Sequence, residues 1–314
     1  MSILRQISLL LCLYGVASNV WADAPKVLTS IKPIYNITAA ISQGVFTPQL
    51  LLTDVSSPHD YQLKPSDVMQ ILDSDLIVWV GPELEGFLVK PLKNMPSKLL
   101  TLIQLDKLHK LTVRNLEINQ HSKHEHQSEH QHEGHTHSSH APGSTDPHIW
   151  LALTNAKVIA QAIGAKLIEL DPENRAIYQA NLANFIEQCE QKLPKWRIKL
   201  APFNQAAFIA MHDAYQYFEK EFKLKMVGSI HVSPEIPISA KHLSHVKRLL
   251  QEHNVRCIFS EPQLGSQQLT NIIGNTKKIG VATIDPLGQM QDLGSDGYFK
   301  LIENLVEAVA SCEP

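Results

Sequence analysis

Residues 171–200 read DPENRAIYQANLANFIEQCEQKLPKWRIKL, and the reading of this stretch decides the fold. Asp171 stands where a helix N-cap is expected, Pro172 at the first helical position and Glu173 in the first turn. Tyr178, Leu182, Phe185, Ile186, Cys189 and Leu193 then recur at helical spacing. Pro194 is expected to kink or interrupt the helix, since proline removes a backbone donor and its ring clashes with the preceding turn. Even so, the segment reaches roughly 40 Å at 1.5 Å per residue. A helix of that length can brace two lobes; a plain core helix of the second half is the alternative.

On either side of it, short β-rich runs alternate with helical patterns, which argues for parallel sheets built from strand-helix-strand units. The first half offers KVLTSI (26–31), PQLLLT (48–53), DLIVWVG (75–81) and LLTLIQL (99–105). The second half offers AAFIAM (206–211), LKMVGSI (224–230), RCIFSE (256–261) and GVATID (280–285). Residues 118–145 break this order with no periodicity and few large apolar side chains, and are expected to be a solvated loop.

Residues 1–22 carry Arg5, an apolar core from Ile7 to Val16, and Ala22 preceded two positions earlier by Val20. A secretory signal peptide cleaved after Ala22 is predicted, because the core is shorter than the ~20 residues that span a bilayer. Cys12 lies inside that core without the small residues of a lipoprotein site. The remaining chain of about 290 residues is long enough for two domains. A formal net charge of −3 leaves no basic footprint for nucleic acid. Cys189, Cys257 and Cys312 remain in a compartment that permits disulfides, so one pair and one leftover thiol is the simplest arithmetic.

Ligands of open parallel sheets bind beyond the carboxyl ends of the strands. His59 lies past the second candidate strand, His212 directly follows AAFIAM, Asp285 ends GVATID, and His148 enters from the loop in DPHIW. Singly, each is more often a surface or turn residue. As a set drawn from both halves, three imidazoles and one carboxylate suit a four-coordinate Zn²⁺. Residues 121–140, HSKHEHQSEHQHEGHTHSSH, hold eight histidines in twenty positions. Such a tract pays ordering entropy for every ion it binds, so it is expected to gather zinc weakly beside the ordered site.

The segments PHDYQLKPSDV, LIVWVGPELEGFL, DPHIWLALTNAKVIA, MHDAYQYFEKEF, FSEPQ and IDPLG run in one order over nearly all of the mature chain. In them the chain resembles the periplasmic zinc-binding proteins of bacterial zinc-uptake ABC transporters, within the wider cluster of zinc- and manganese-binding solute-binding proteins. The resemblance implies an α/β fold of two parallel-sheet lobes joined by a long rigid helix, with the metal in the interlobe cleft. On that reading residues 1–22 are the signal peptide, 23–170 the first lobe with the His-rich loop, 171–200 the connecting helix and 201–314 the second lobe. His59, His148 and His212 would be ligands, with Asp285 or water in fourth place. An imidazole at His212, where manganese-binding relatives tend to carry a carboxylate, favours zinc. Some zinc-binding members have an acidic residue before the first histidine; Pro58 stands there in this chain. The resemblance also implies a Cys257–Cys312 disulfide, worth ~4 kcal/mol for a loop of about 55 residues. Cys189 is then a small buried apolar residue.

The resemblance further implies capture of Zn²⁺ in the periplasm, without chemical turnover, and delivery to an inner-membrane ABC permease by a monomer that binds no nucleic acid. The alternatives are a manganese- or other divalent-metal-binding protein, a secreted zinc hydrolase, and a His-rich buffer or adhesin. A hydrolase needs an open coordination position and a placed base such as Asp60, Asp213 or Glu261, and the chain has no HExxH. His231 and Glu261 are expected near the cleft edge, His231 as a group behind the ligands or part of a weaker site and Glu261 orienting a ligand or lining the rim. His109, His242, His245 and His253 are expected in solvent.

Overall fold

The computed structural model describes residues 24–53, 57–114, 144–231, 238–262, 264, 269 and 279–312. The signal-peptide and His-rich-tract assignments fall outside them. All eight expected strands form, each shorter than its apolar run. β1 (Val27–Thr29), β2 (Gln49–Leu50), β3 (Leu76–Trp79) and β4 (Leu99–Thr101) make a parallel sheet in the order β2-β1-β3-β4. β5 (Ala207–Ala210), β6 (Lys225–Ser229), β7 (Cys257–Ser260) and β8 (Gly280–Thr283) repeat that order as β6-β5-β7-β8. In each sheet the chain steps to one side of its first strand and then to the other, leaving a crevice at the strand carboxyl ends.

The described helices are α1 (Lys32–Ile41), α2 (Pro65–Asp73), a single turn α3 (Val89–Leu92), α4 (Leu153–Leu170), α5 (Arg175–Leu200), α6 (Gln216–Phe222), α7 (Ala240–Glu252) and α8 (Gly297–Ala310). α5 is the long helix between the lobes, and it runs unbroken through Pro194. The expected interruption does not occur because Pro194 and Glu190, whose carbonyl loses its helical donor, lie on the exposed face where water can replace the bond. Its start differs in one respect. Asp171 takes the N-cap position of a 3-10 turn at Pro172–Asn174 that leads into α5, as expected, but its side chain makes no capping bond: its Oδ2 accepts from Tyr178 Oη at 2.6 Å and Asn174 Nδ2 at 2.8 Å.

Only Tyr178, Phe185, Cys189, Trp196 and Leu200 of α5 are fully buried, so a narrow stripe holds a largely solvated helix. That stripe meets α8, which crosses back from the second half of the chain. Phe185 packs on Phe299 and Tyr298 with ring centroids 4.9 and 5.6 Å apart. Gly297 lets α8 approach α1: a Cβ there would sit 2.4 Å from Asn36 Cγ. Trp150, wholly buried, donates from Nε1 to Pro286 O at 2.8 Å, and Tyr298 Oη donates to Trp150 O at 2.9 Å. Trp150 therefore pins the end of the second sheet to the first lobe.

Cys257 and Cys312 form a disulfide, with Cα atoms 5.8 Å apart, tying β7 to the end of α8. Cys189 is a buried free thiol, and burial pushes its pKa up to about 12. The chain starting at Asp23 should therefore show no reactive thiol when native at pH 8, one after denaturation, and three after denaturation with reduction. Thiol titration with peptide mapping checks this; three thiols without reductant would rule the disulfide out.

Candidate metal centre

His59 follows β2 on a turn where its amide donates to Ser57 Oγ at 3.2 Å. The chain beyond is fixed by Asp67, whose Oδ2 accepts from Tyr61 Oη and from the Lys64 amide, both at 2.8 Å. That carboxylate lies in the first turn of α2, where it also complements the positive end of the helix.

His148 is delivered by a short stem. Thr112 and Thr145 form an antiparallel bridge, with Val113 N donating to Ser144 O at 2.7 Å and Asp146 N to Leu111 O at 2.8 Å. Ser144 and Thr145, expected in the solvated loop, are thus paired backbone. Asp146 Oδ1 then accepts from the His148 amide at 3.0 Å and lies 2.8 Å from His148 Nδ1. A carboxylate only accepts, so the proton sits on Nδ1 and Nε2 offers its lone pair.

His212 arrives by strand register. Ala210 of β5 pairs with Phe259 of β7, and two residues further on His212 lies against Glu261, its Nδ1 2.9 Å from the carboxylate. The same argument leaves His212 Nε2 for a metal. Tyr215 packs beside this pair with its ring 6.3 Å from His212; burial, then the negative Glu261, hold its hydroxyl well above the usual phenol pKa and neutral.

The three imidazoles meet. Ring centroids are 5.7 Å apart for His59 and His148, 6.2 Å for His59 and His212, and 5.5 Å for His148 and His212. One nitrogen from each lies within 4.8 Å of the other two. Nitrogens on tetrahedral Zn²⁺ at ~2.05 Å stand about 3.3 Å apart, so binding asks for an approach of about 1.5 Å at most. Pro58, Trp150, Leu264, Pro286 and Leu287 wall a cavity of about 20 Å³. A space of that size suits a single small occupant, in largely apolar surroundings that strengthen each ion-dipole contact.

Asp285 is not brought into this group. Its Oδ1 accepts from the Leu287 amide at 3.2 Å and its Oδ2 from the Met290 amide at 3.1 Å, closing the turn after β8. His231 is buried after β6, its amide donating to Met211 O at 2.7 Å, and does not line the cavity. Glu261 does line it. His109 is exposed and His245 and His253 are part-exposed, whereas His242 is buried, against expectation. Its Nε2 donates to Ser229 O at 3.0 Å, because the apolar face of α7 turns that ring under β6. Sequence reasoning passed over Asp146, although an aspartate two residues before a candidate ligand is itself a signal for an imidazole held through Nδ1.

Two α/β lobes on a long helix, with imidazoles gathered from both at the carboxyl ends of parallel strands, define a metal-binding solute-binding protein. The family described as periplasmic component A of zinc-uptake complexes, ZnuA, matches residues 27–312. Over 291 residues the chain is 36% identical to the high-affinity zinc uptake system protein ZnuA of Yersinia pestis, covering 91% of this chain and 90% of that one. Its counterpart in Brucella abortus (strain 2308) is 35% identical over 318 residues, 95% and 94% of the two chains. Among solved structures, a ZnuA crystal structure superposes with a TM-score of 0.71 at 25% identity, covering 92% of this chain and 98% of that chain. Zn(II)-bound AdcAII from Streptococcus pneumoniae, a mutant variant, gives 0.73 at 25% identity with the same coverage of 92% and 98%. The chain belongs to the ZnuA family of zinc-uptake components. It is accordingly a non-enzymatic substrate-binding component of zinc transport.

Proposed function

We propose that this chain captures Zn²⁺ in the periplasm through His59, His148 and His212 and hands it to an inner-membrane ABC permease. The observation that carries the reading is the convergence of three imidazole nitrogens within 4.8 Å of one another, on loops from both lobes. Nitrogen donors favour zinc over manganese, whose preference is for oxygen. The fourth position falls to water or to Asp285, whose two oxygens each already accept a backbone amide. A hydrolytic role is disfavoured because the carboxylates nearest the imidazoles, Asp146 and Glu261, are already engaged by them.

Cleavage after Ala22, a first lobe over 23–170, the connector 171–200 and a second lobe over 201–314 complete the proposal. So do a monomer without affinity for nucleic acid and a His-rich tract that gathers zinc near the cleft. Deleting 121–140 from the chain starting at Asp23 should leave one tight zinc site and remove only weaker ones. Calorimetric titration tests it: loss of the tight site in the deletion, with His59→Ala binding like the parent, would place the site in the tract instead.

A further inference from the structure

A set of polar bonds ties the stem that carries His148 to the segment that follows His212. Arg114, on the outgoing arm of the stem that brings in His148, reaches across to the second half of the chain. Its Nε and Nη2 donate to Asp213 Oδ2 and Oδ1 at 2.8 and 2.7 Å, a two-pronged contact to the residue next to His212. Its Nη1 and Nη2 donate to Glu219 Oε2 and Oε1 at 2.6 and 3.0 Å. Glu219 is anchored in turn, its Oε1 accepting from the Met226 amide at 3.0 Å. The side chains are mostly shielded, with 28% of Arg114, 15% of Asp213 and 9% of Glu219 exposed. A planar fork among four carboxylate oxygens has one geometry, which a single ammonium could not impose.

The return arm is held by the same helix. Gln216 Nε2 donates to Thr112 O at 3.1 Å and to Asp146 Oδ2 at 2.9 Å, while Asp146 Oδ1 holds His148. Tyr217 Oη donates to Asp146 O at 2.9 Å and accepts from the Leu111 amide at 3.0 Å. The start of α6, directly after His212, thus grips both arms of the stem. We propose that Arg114 is a positioning residue for the zinc site: its fork onto Asp213 and Glu219 sets the spacing of His148 and His212 across the cleft. Without it, two ligands on separate lobes must be ordered by the ion itself, and zinc leaves faster. This inference rests on the histidine site proposed above.

The test uses the full chain from Asp23 and zinc alone as ligand, with His212→Ala as reference, Arg114→Met, and the triple variant Arg114→Met/Asp213→Asn/Glu219→Gln. The triple variant removes the two carboxylates that Arg114→Met would leave unpaired, so it separates lost positioning from lost stability. Zinc release is followed by chelator chase at a temperature where near-ultraviolet circular dichroism shows a folded chain, and Co²⁺ is used for the ligand-field band. We expect both Arg114 variants to release zinc about 10- to 100-fold faster and to change the intensity of the Co²⁺ band. A wild-type release rate in a folded Arg114→Met chain overturns the proposal. So does a fast rate in Arg114→Met that returns to normal in the triple variant. Should Arg114→Met not fold, the triple variant decides alone. If His212→Ala also releases zinc at the wild-type rate, the histidine site itself is wrong; if only the Arg114 variants behave as wild type, the site stands and the positioning role falls.

Discussion

Zinc affinity of the chain lacking residues 121–140 should fall as the pH is lowered, by up to about three decades per pH unit where all three imidazoles take up protons. Three imidazoles compete with three protons for the same lone pairs, and each must be neutral to bind. Replacing any one of His59, His148 or His212 by alanine should remove one decade from that slope, while Asp285→Ala should lower affinity without flattening it. Competition with a chromophoric chelator at each pH gives the slope directly. An affinity that stays constant between about pH 5 and 7 would exclude histidines as the principal ligands and point to carboxylates such as Glu261 and Asp285.

Acid unfolding through the most perturbed buried carboxyl works in the opposite direction. Glu85 accepts from Ser30 Oγ, Val80 N and Gly81 N at the ends of β1 and β3, yet burial outweighs these bonds and raises its pKa from 4.5 to about 7. A carboxyl raised on folding is protonated more readily in the folded chain. Its contribution to stability is therefore full below about pH 4.5 and is lost as the pH rises through about 7, on the order of 3 kcal/mol. Acidification through that window strengthens this part of the fold while it weakens zinc binding.

Single replacement of His59, His148 or His212 by alanine should weaken zinc binding by about 10²- to 10³-fold at pH 7.5, since structural zinc sites gather ~10–16 kcal/mol over four ligands. Asp146→Ala and Glu261→Ala should each cost about 10- to 100-fold, because they free the ring that His148 or His212 must hold still. The ranking is the claim. Equal losses for ligand and carboxylate variants would make Asp146 or Glu261 a direct ligand, and no loss for either would show that the ring orientations are held by packing alone.

Both lobes were legible in the sequence because the central strands β1, β3, β5 and β7 are buried along their whole length and so read as apolar runs, with the more exposed edge strands following at regular intervals. The helix over 171–200 was equally visible from its spacing, although its tolerance of Pro194 depends on which face meets solvent. His59, His148 and His212 could be named because ligands belong at strand ends and a family resemblance chose among the candidates. Periodicity carries no such information for α8, whose apolar face reads the same whether it covers its own sheet alone or, as here, also packs on α1 and α5.

What sequence alone determined was therefore local: strand and helix periods, the order of elements, and which residue types could hold zinc. The tertiary structure decided every relation that depends on two distant segments sharing one place. The Asp146 and Glu261 contacts to His148 and His212 Nδ1, the turn that engages Asp285, the burial of His242 and the reach of Arg114 to Asp213 and Glu219 are of this kind. The physical reason is range: a period is imposed by neighbours three or four residues apart, whereas a hydrogen bond across 99 residues, such as Arg114 to Asp213, exists only after packing has fixed both ends.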